Sequence, residues 1–329
     1  MVNGRRPVRH FCTYGDENYL PQIFSLLNSL RRHSSPFHLQ ILCLTPEALQ
    51  KAQPLQARDF SLVSMEEMEN SDLELLQVKG SRSRIEYYFT CTPCWIRLAL
   101  RRKAEAEWMT YLDADLYFYG SPDSIFEMLE SQSVGITPHR FPGRLRHLEA
   151  NGKFNVGWVS FRRDSSGMAC LEDWRKKCLE WCFDRAESGR YGDQKYLDAW
   201  PGEFRGVQIL DHPGVNLATW NVETVSLRIE EGGIRANKEP LIFYHFSGLK
   251  QLRPGLYDPQ WSQHGTRAGR ILRRWVYRPY LQNLESSRKL LGEKRVSGSS
   301  RYRGREREGE RLGAWKILRR CWRGDYLRA

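Results

Sequence analysis

The tightest constraint on the fold lies in the first 44 residues. Residues 8–14 read as a short strand closed by Gly15, Asp16, Glu17 and Asn18, and residues 19–33 then place Leu20, Ile23, Phe24, Leu27 and Leu30 at helical spacing. Residues 39–44 are a second apolar run of strand length. Strand, helix and strand at this spacing suit a parallel βαβ unit, so the start predicts a doubly wound α/β sheet with ligand contacts at the C-terminal ends of its strands. The loop at residues 15–19 is such an end.

Farther along, residues 47–77 are acidic, Leu-rich and predicted helical in pieces. A helix is expected over 92–106, with Pro93 in its first turn, where a missing N–H does no harm. Residues 108–112, Trp-Met-Thr-Tyr-Leu, form the next buried strand and deliver Asp113-Ala114-Asp115 to its end. Residues 153–162 and 241–246 are further strand-like runs, carrying Asn155 and His245.

Composition narrows the class. With 329 residues, 40% of them hydrophobic and 12% aromatic, the chain can bury a full core, which excludes disorder throughout. No run approaches the roughly 18 apolar residues that a membrane span needs, and the basic N-terminus lacks a signal-type apolar stretch, so a cytoplasmic location is expected. The formal charge of +12 resembles a nucleic-acid signal until it is located: residues 267–329 carry +13 and the remainder −1. The expected organisation is therefore a catalytic domain at 1–266 and a basic, partly helical and partly disordered tail at 267–329, with nucleic acid disfavoured as a partner.

Within that tail, 271–291 reads as a basic helix containing Pro279, and 296–309 is a Ser/Gly/Arg-rich linker that cannot pack a core. Residues 312–322 place Leu312, Trp315, Leu318 and Trp322 on one helical face with basic residues largely on others, which predicts peripheral attachment to an anionic membrane at its inner face. The alternative reading is a non-catalytic protein that binds nucleic acid or membrane through this tail. Among the eight cysteines, Cys91-Thr-Pro-Cys94 has the spacing of zinc and redox sites, but Cys170, Cys178 and Cys182 supply no second pair of that kind; reduced thiols are expected.

Two carboxylates at the end of a buried strand are costly without a counter-ion, so Asp113 and Asp115 point to a hard divalent cation, Mn²⁺ or Mg²⁺, bridging diphosphate oxygens. The strings Gly15-Asp-Glu-Asn-Tyr19, Tyr111-Leu-Asp-Ala-Asp115, Phe154-Asn-Val-Gly157, Gly192-Asp-Gln194 and His245-Phe-Ser-Gly248 resemble, in this order, the motifs of glycosyltransferase family 8, which includes glycogenin and bacterial lipopolysaccharide galactosyltransferases. Other stretches look like uncharacterised sugar transferases of bacterial polysaccharide loci. The resemblance covers residues 8–250 and implies a GT-A fold, a mostly parallel Rossmann-like sheet flanked by helices, and a nucleotide-sugar donor, UDP-linked in the family.

The resemblance also implies roles. Asp16, Asn18 and Tyr19 would hold the nucleobase, Arg97 would contact the donor, and His245 would join Asp113 and Asp115 as metal ligand. Asn155 and Gly157 would meet sugar hydroxyls; Gly248 and Lys250, or Arg253 in its place, would meet the diphosphate. Asp193 and Gln194 would flank the reacting carbon, serving a retaining hexosyl transfer or positioning the glycan or lipid-linked acceptor, and Trp220 would stack on acceptor sugar. Each has a plainer reading: Asp16 or Asn18 as helix N-cap, Arg97 as a solvated helix charge, Asp193 as a turn and cap, His245 as a satisfied structural residue. An enzyme that activates the sugar is disfavoured, because residues 8–20 carry no Gly-rich phosphate loop.

Overall fold

The computed structural model describes residues 7–34, 36–292 and 326–329. Strand β1 (Arg9–Gly15), helix α1 (Leu20–His33) and strand β2 (Phe37–Cys43) form the expected parallel unit, paired from Arg9↔Phe37 through Gly15↔Cys43. The apolar stripe of α1 is buried at Leu20, Ile23, Leu27 and Leu30. Strands β3 (Phe60–Ser64) and β4 (Trp108–Leu112) extend the parallel set on either side. Strands β6 (Val134–Pro138), β7 (Phe154–Arg162) and β8 (Val207–Ile209) complete a seven-stranded sheet of order β3-β2-β1-β4-β7-β6-β8, in which only the β4–β7 and β7–β6 pairs are antiparallel.

Both faces of this sheet are covered, as parallel strands require. In β1, Phe11 joins one apolar cluster with Trp158 and α1, while its neighbour Cys12 joins the other with Trp95 and Trp174; Leu112 and Tyr111 divide in the same way. A second, three-stranded sheet of β5 (Leu116–Phe118), β9 (Leu217–Ala218) and β10 (Phe243–His245) stands beside the first, with β10 in its centre.

Three expectations change. Helix α2 spans Arg84–Arg102, eight residues earlier at its start than the sequence suggests, because Ser83 and Glu86 close a reciprocal capping box; Pro93 consequently lies inside this helix, which packs on helix α3 (Ser165–Glu180). The stretch at 47–77 is helical in pieces as expected, but edge strand β3 sits among those helices, whose N-caps are Thr45, Ser64 and Asp72.

The third change concerns the C-terminal segment. Leu272–Tyr277 runs as a wide helical turn into helix α4 (Arg278–Leu290), and Pro279 lies at the start of α4, where its missing N–H and bulky ring favour the widening of the turn before it. This helix packs on α1, with Asn28 Nδ2 donating to Asn283 Oδ1 at 3.2 Å and the hydroxyls of Ser25 and Ser287 3.3 Å apart. Tyr280 stacks on Phe246 with ring centroids 3.8 Å apart. Residues 268–290 thus belong to the body, and a boundary at 267 would cut through packed structure. Strand Leu327–Arg328 returns to pair with Leu256–Asp258. The linker at 296–309 and the aromatic face of Leu312, Trp315, Leu318 and Trp322 lie outside the described residues. No described helix is long and apolar enough to cross a membrane.

Candidate metal centre and cleft

Register brings the distant imidazole to the carboxylates. Strand β4 ends at Leu112, the chain turns through Asp113-Ala114-Asp115, and β5 pairs antiparallel with β10 so that His245 faces Leu116. Two backbone bonds lock the turn: Asp113 N–H donates to Gly157 O at 2.9 Å, and Phe246 N–H donates to Asp115 O at 3.0 Å. His245 Nε2 then lies 3.1 Å from Asp115 Oδ1 and 3.6 Å from Asp113 Oδ2. One ligand atom from each of the three residues falls within 4.8 Å of the others, a spacing that fits a single divalent ion. The Tyr111 hydroxyl donates to the other Asp113 oxygen at 2.8 Å, leaving Oδ2 toward the imidazole.

The imidazole is held from behind. Gly157 N–H donates to Asn155 Oδ1 at 3.1 Å, which fixes the oxygen end of that amide, and His245 Nδ1 lies 3.2 Å from the same oxygen. Nδ1 therefore carries the hydrogen, and Nε2 faces the carboxylates with its lone pair or a second proton. Asn155 Nδ2 donates in turn to Gln194 Oε1 at 3.3 Å, and Gln194 Nε2 donates to Asn151 O at 3.1 Å. Gly157 is small for a reason: a Cβ there would fall 2.6 Å from Asn155 Oδ1 and 2.9 Å from His245 Cε1. The register of β7 against β6 jumps from Val159 to Asn155, and this irregularity turns Asn155 toward the site.

The three side chains set one another's proton affinity. Burial opposes a proton on His245, but the Asp115 and Asp113 carboxylates outweigh it and raise its pKa. Burial pushes Asp113 up, helped by Asp115 and opposed by His245 and Tyr111. Both shifts follow from two carboxylates and one imidazole sharing a buried space.

The triad opens into a cleft of about 300 Å³, also lined by Asp16 and Tyr19 from the end of β1, by Asn155, and by Ser247 beyond β10. Asp16 is buried and its Oδ1 accepts the Asn18 N–H at 2.9 Å; burial raises its pKa. The expected cap is absent: Tyr19 occupies the N-cap position of α1 without a side-chain bond. Opposite stand Ile85, Tyr88 and Phe89 of α2, which sequence reading missed. Their i, i+3, i+4 spacing was available as a signal, but the helix was expected to begin after them.

Asp193 is buried and pushed up to about 7, first by burial and further by Asp113, against a bond from Thr92. The Thr92 hydroxyl also lies 3.2 Å from that of Tyr14, a cleft residue. Asp193 is not a cap: Gln194 holds that position before Lys195–Asp198, without a side-chain bond.

Besides Gly157, Asp193, Gln194 and Arg253, five expected residues stand outside the cleft lining. Arg97 pairs with Glu172 at 3.1 Å and Asp72 at 3.6 Å, in a cluster completed by Arg175, so it is neither a cleft residue nor a solvated charge. Asn18 is exposed, with its amide against Glu17. Gly248 (φ +77°) turns the chain just past Ser247, and Lys250 is exposed in Lys250–Arg253. Trp220 is buried, edge-on to His245 at 5.3 Å between ring centroids, so it walls the triad and offers no exposed face to a sugar. The seven described cysteines are all free and buried, Cys91 and Cys94 among them, and they join no metal-sized cluster among the described residues.

A mostly parallel sheet flanked by helices, with the Asp-x-Asp turn at a strand end facing the last core strand, is the GT-A fold. The apo form of the glycosyltransferase GlyE from Streptococcus pneumoniae TIGR4 superposes with a TM-score of 0.50 at 17% identity, covering 87% of this chain and 63% of that one. Mouse xyloside xylosyltransferase 1 gives 0.48 at 14% identity, covering 74% of this chain and 98% of that one. The galactosyltransferase LgtC gives 0.48 at 16% identity, with coverage of 88% and 98%. No family model matches the sequence.

The chain belongs to the family of the Bacillus subtilis (strain 168) proteins YfnD and YfnF, both described as uncharacterized. It is 30% identical to YfnD over 279 residues, which is 84% of this chain and 88% of YfnD. With YfnF it shares 34% over 248 residues, 73% of this chain and 81% of that protein.

Proposed function

We propose that the protein is a metal-dependent glycosyltransferase that moves a hexose-type sugar from a nucleotide-diphosphate donor, UDP-linked, to a glycan or lipid-linked acceptor of a surface polysaccharide, with retention of configuration. The observation that carries this reading is the meeting of Asp113, Asp115 and His245 at one end of a cleft that has Asp16 and Tyr19 on its wall. Asp113, Asp115 and His245 would hold Mn²⁺ or Mg²⁺, which when bound neutralises charge on the leaving diphosphate. Tyr19 stacks on the base and Asp16 meets its edge.

Asn155 has two duties, holding the imidazole and presenting its cleft side to sugar hydroxyls. Gln194 positions Asn155, and Asp193, whose proton affinity is raised first by burial and further by Asp113, would serve the reacting carbon. Gly248 lets the backbone approach phosphate, with Lys250 or Arg253 adding charge from the adjoining strand. Arg97 has no part here, its guanidinium being taken up by Asp72 and Glu172.

The test is hydrolysis of UDP-glucose and UDP-galactose with Mn²⁺ against EDTA, for wild type and Asp115→Ala. Turnover that requires Mn²⁺ and the Asp115 carboxylate supports transfer chemistry at this triad. Turnover indifferent to both refutes it.

A further inference from the structure

A second cavity has a chemistry that the cleft does not use. Its volume is about 620 Å³, and its walls are Ala268, Arg270, Arg273, Arg274 and Arg278 from the helical segment plus Arg328 from the returning strand Leu327–Arg328. Five arginines from two separate parts of the chain thus line one concavity. None of the five pairs with a carboxylate among the described residues, whereas arginines elsewhere in the body such as Arg9, Arg31 and Arg175 do. Arg273 Nε is buried and meets no acceptor among the described residues, while its guanidinium rests over the Trp261 ring at 5.6 Å.

Like charges gathered in one concavity repel, and an anion relieves them. Guanidinium forks match phosphate oxygens two at a time. A single phosphate, with roughly two negative charges, would answer fewer than half of the five positive ones. We propose that this cavity binds a diphosphate or larger phosphate-bearing anion, at a site separate from the metal cleft and independent of the cleft's function. Two sources carry that chemistry: a soluble diphosphate, or phosphodiester headgroups of an anionic lipid surface, which the exposed Trp275 beside Arg274 would adjoin.

Calorimetric titration of inorganic pyrophosphate into the full chain separates the two sites when it is run in EDTA, since the triad then has no cation through which to hold phosphate. The expected result is saturable binding, weakened by at least about tenfold in Arg274→Gln/Arg278→Gln and in Arg270→Gln/Arg328→Gln, and unchanged in Asp115→Ala. These arginines are exposed, so the variants should melt with the wild type. A parallel arm sediments the protein with phosphatidylcholine vesicles with and without phosphatidylglycerol. Arginine-dependent binding to the anionic vesicles alone identifies the lipid headgroup as the source; pyrophosphate binding identifies a soluble ligand. Absence of binding in both arms, or binding indifferent to the arginines, overturns the proposal.

Discussion

His245 is useful because its two nitrogens have different neighbours. Nδ1 is committed to Asn155 Oδ1, and Nε2 is left to Asp113 and Asp115. Gly157 makes room for this arrangement. Gly157→Ala should therefore weaken Mn²⁺ binding, measured by electron paramagnetic resonance titration, by about 10- to 100-fold, the usual effect of disturbing a residue that orients a ligand. Strain at the new methyl group should lower stability by about 1–3 kcal/mol. Unaltered Mn²⁺ affinity in a folded variant would show that the imidazole is not a ligand.

Asp193 allows a pH experiment with a definite sign. Its folded pKa, about 7, lies above the ordinary carboxylate value of 3.8. The neutral form is favoured by folding, so its contribution is complete below about pH 4 and is lost as pH rises through 7. In EDTA, Asp193→Asn should melt with the wild type near pH 4 and above it near pH 8, by at most about 4 kcal/mol. Equal melting temperatures at both pH values would contradict the burial argument.

At the scale of elements, α2 and α4 each make a testable claim. Loss of the capping box through Ser83→Ala should cost about 1 kcal/mol in urea denaturation. Tyr280→Ala, which removes the ring stacked on Phe246, should cost about 3–5 kcal/mol. A far smaller loss would mean that α4 is an appendage, as the charge of the sequence after 267 suggests. Charge misled there because the basic residues face outward while Leu272, Val276, Tyr280 and Leu284 face the core.

Legibility followed physical locality. The βαβ start and the Asp-x-Asp turn were readable because each is encoded within a short window of apolar spacing. Strand β3 was hidden by its five-residue length inside an acidic helical stretch, and the start of α2 by a helix that continues through a proline. Arg97 could not be placed from sequence, since its partners Asp72 and Glu172 are fixed only by how three helices pack. The motif around Asn155 and Gly157 points to sugar contact, but their hold on the imidazole depends on a strand irregularity that no spacing rule reveals.

For the whole molecule, the two sheets meet where β4 passes its turn to β5, and every ligand of the candidate metal centre lies at that junction. The most direct measurement is Mn²⁺ titration of the full chain by electron paramagnetic resonance, with and without UDP. One Mn²⁺ per chain, held more tightly when UDP is present and lost in both Asp115→Ala and His245→Ala, is the expected result. Mn²⁺ binding that persists in those variants, or UDP binding that EDTA leaves untouched, would contradict a cation at Asp113, Asp115 and His245.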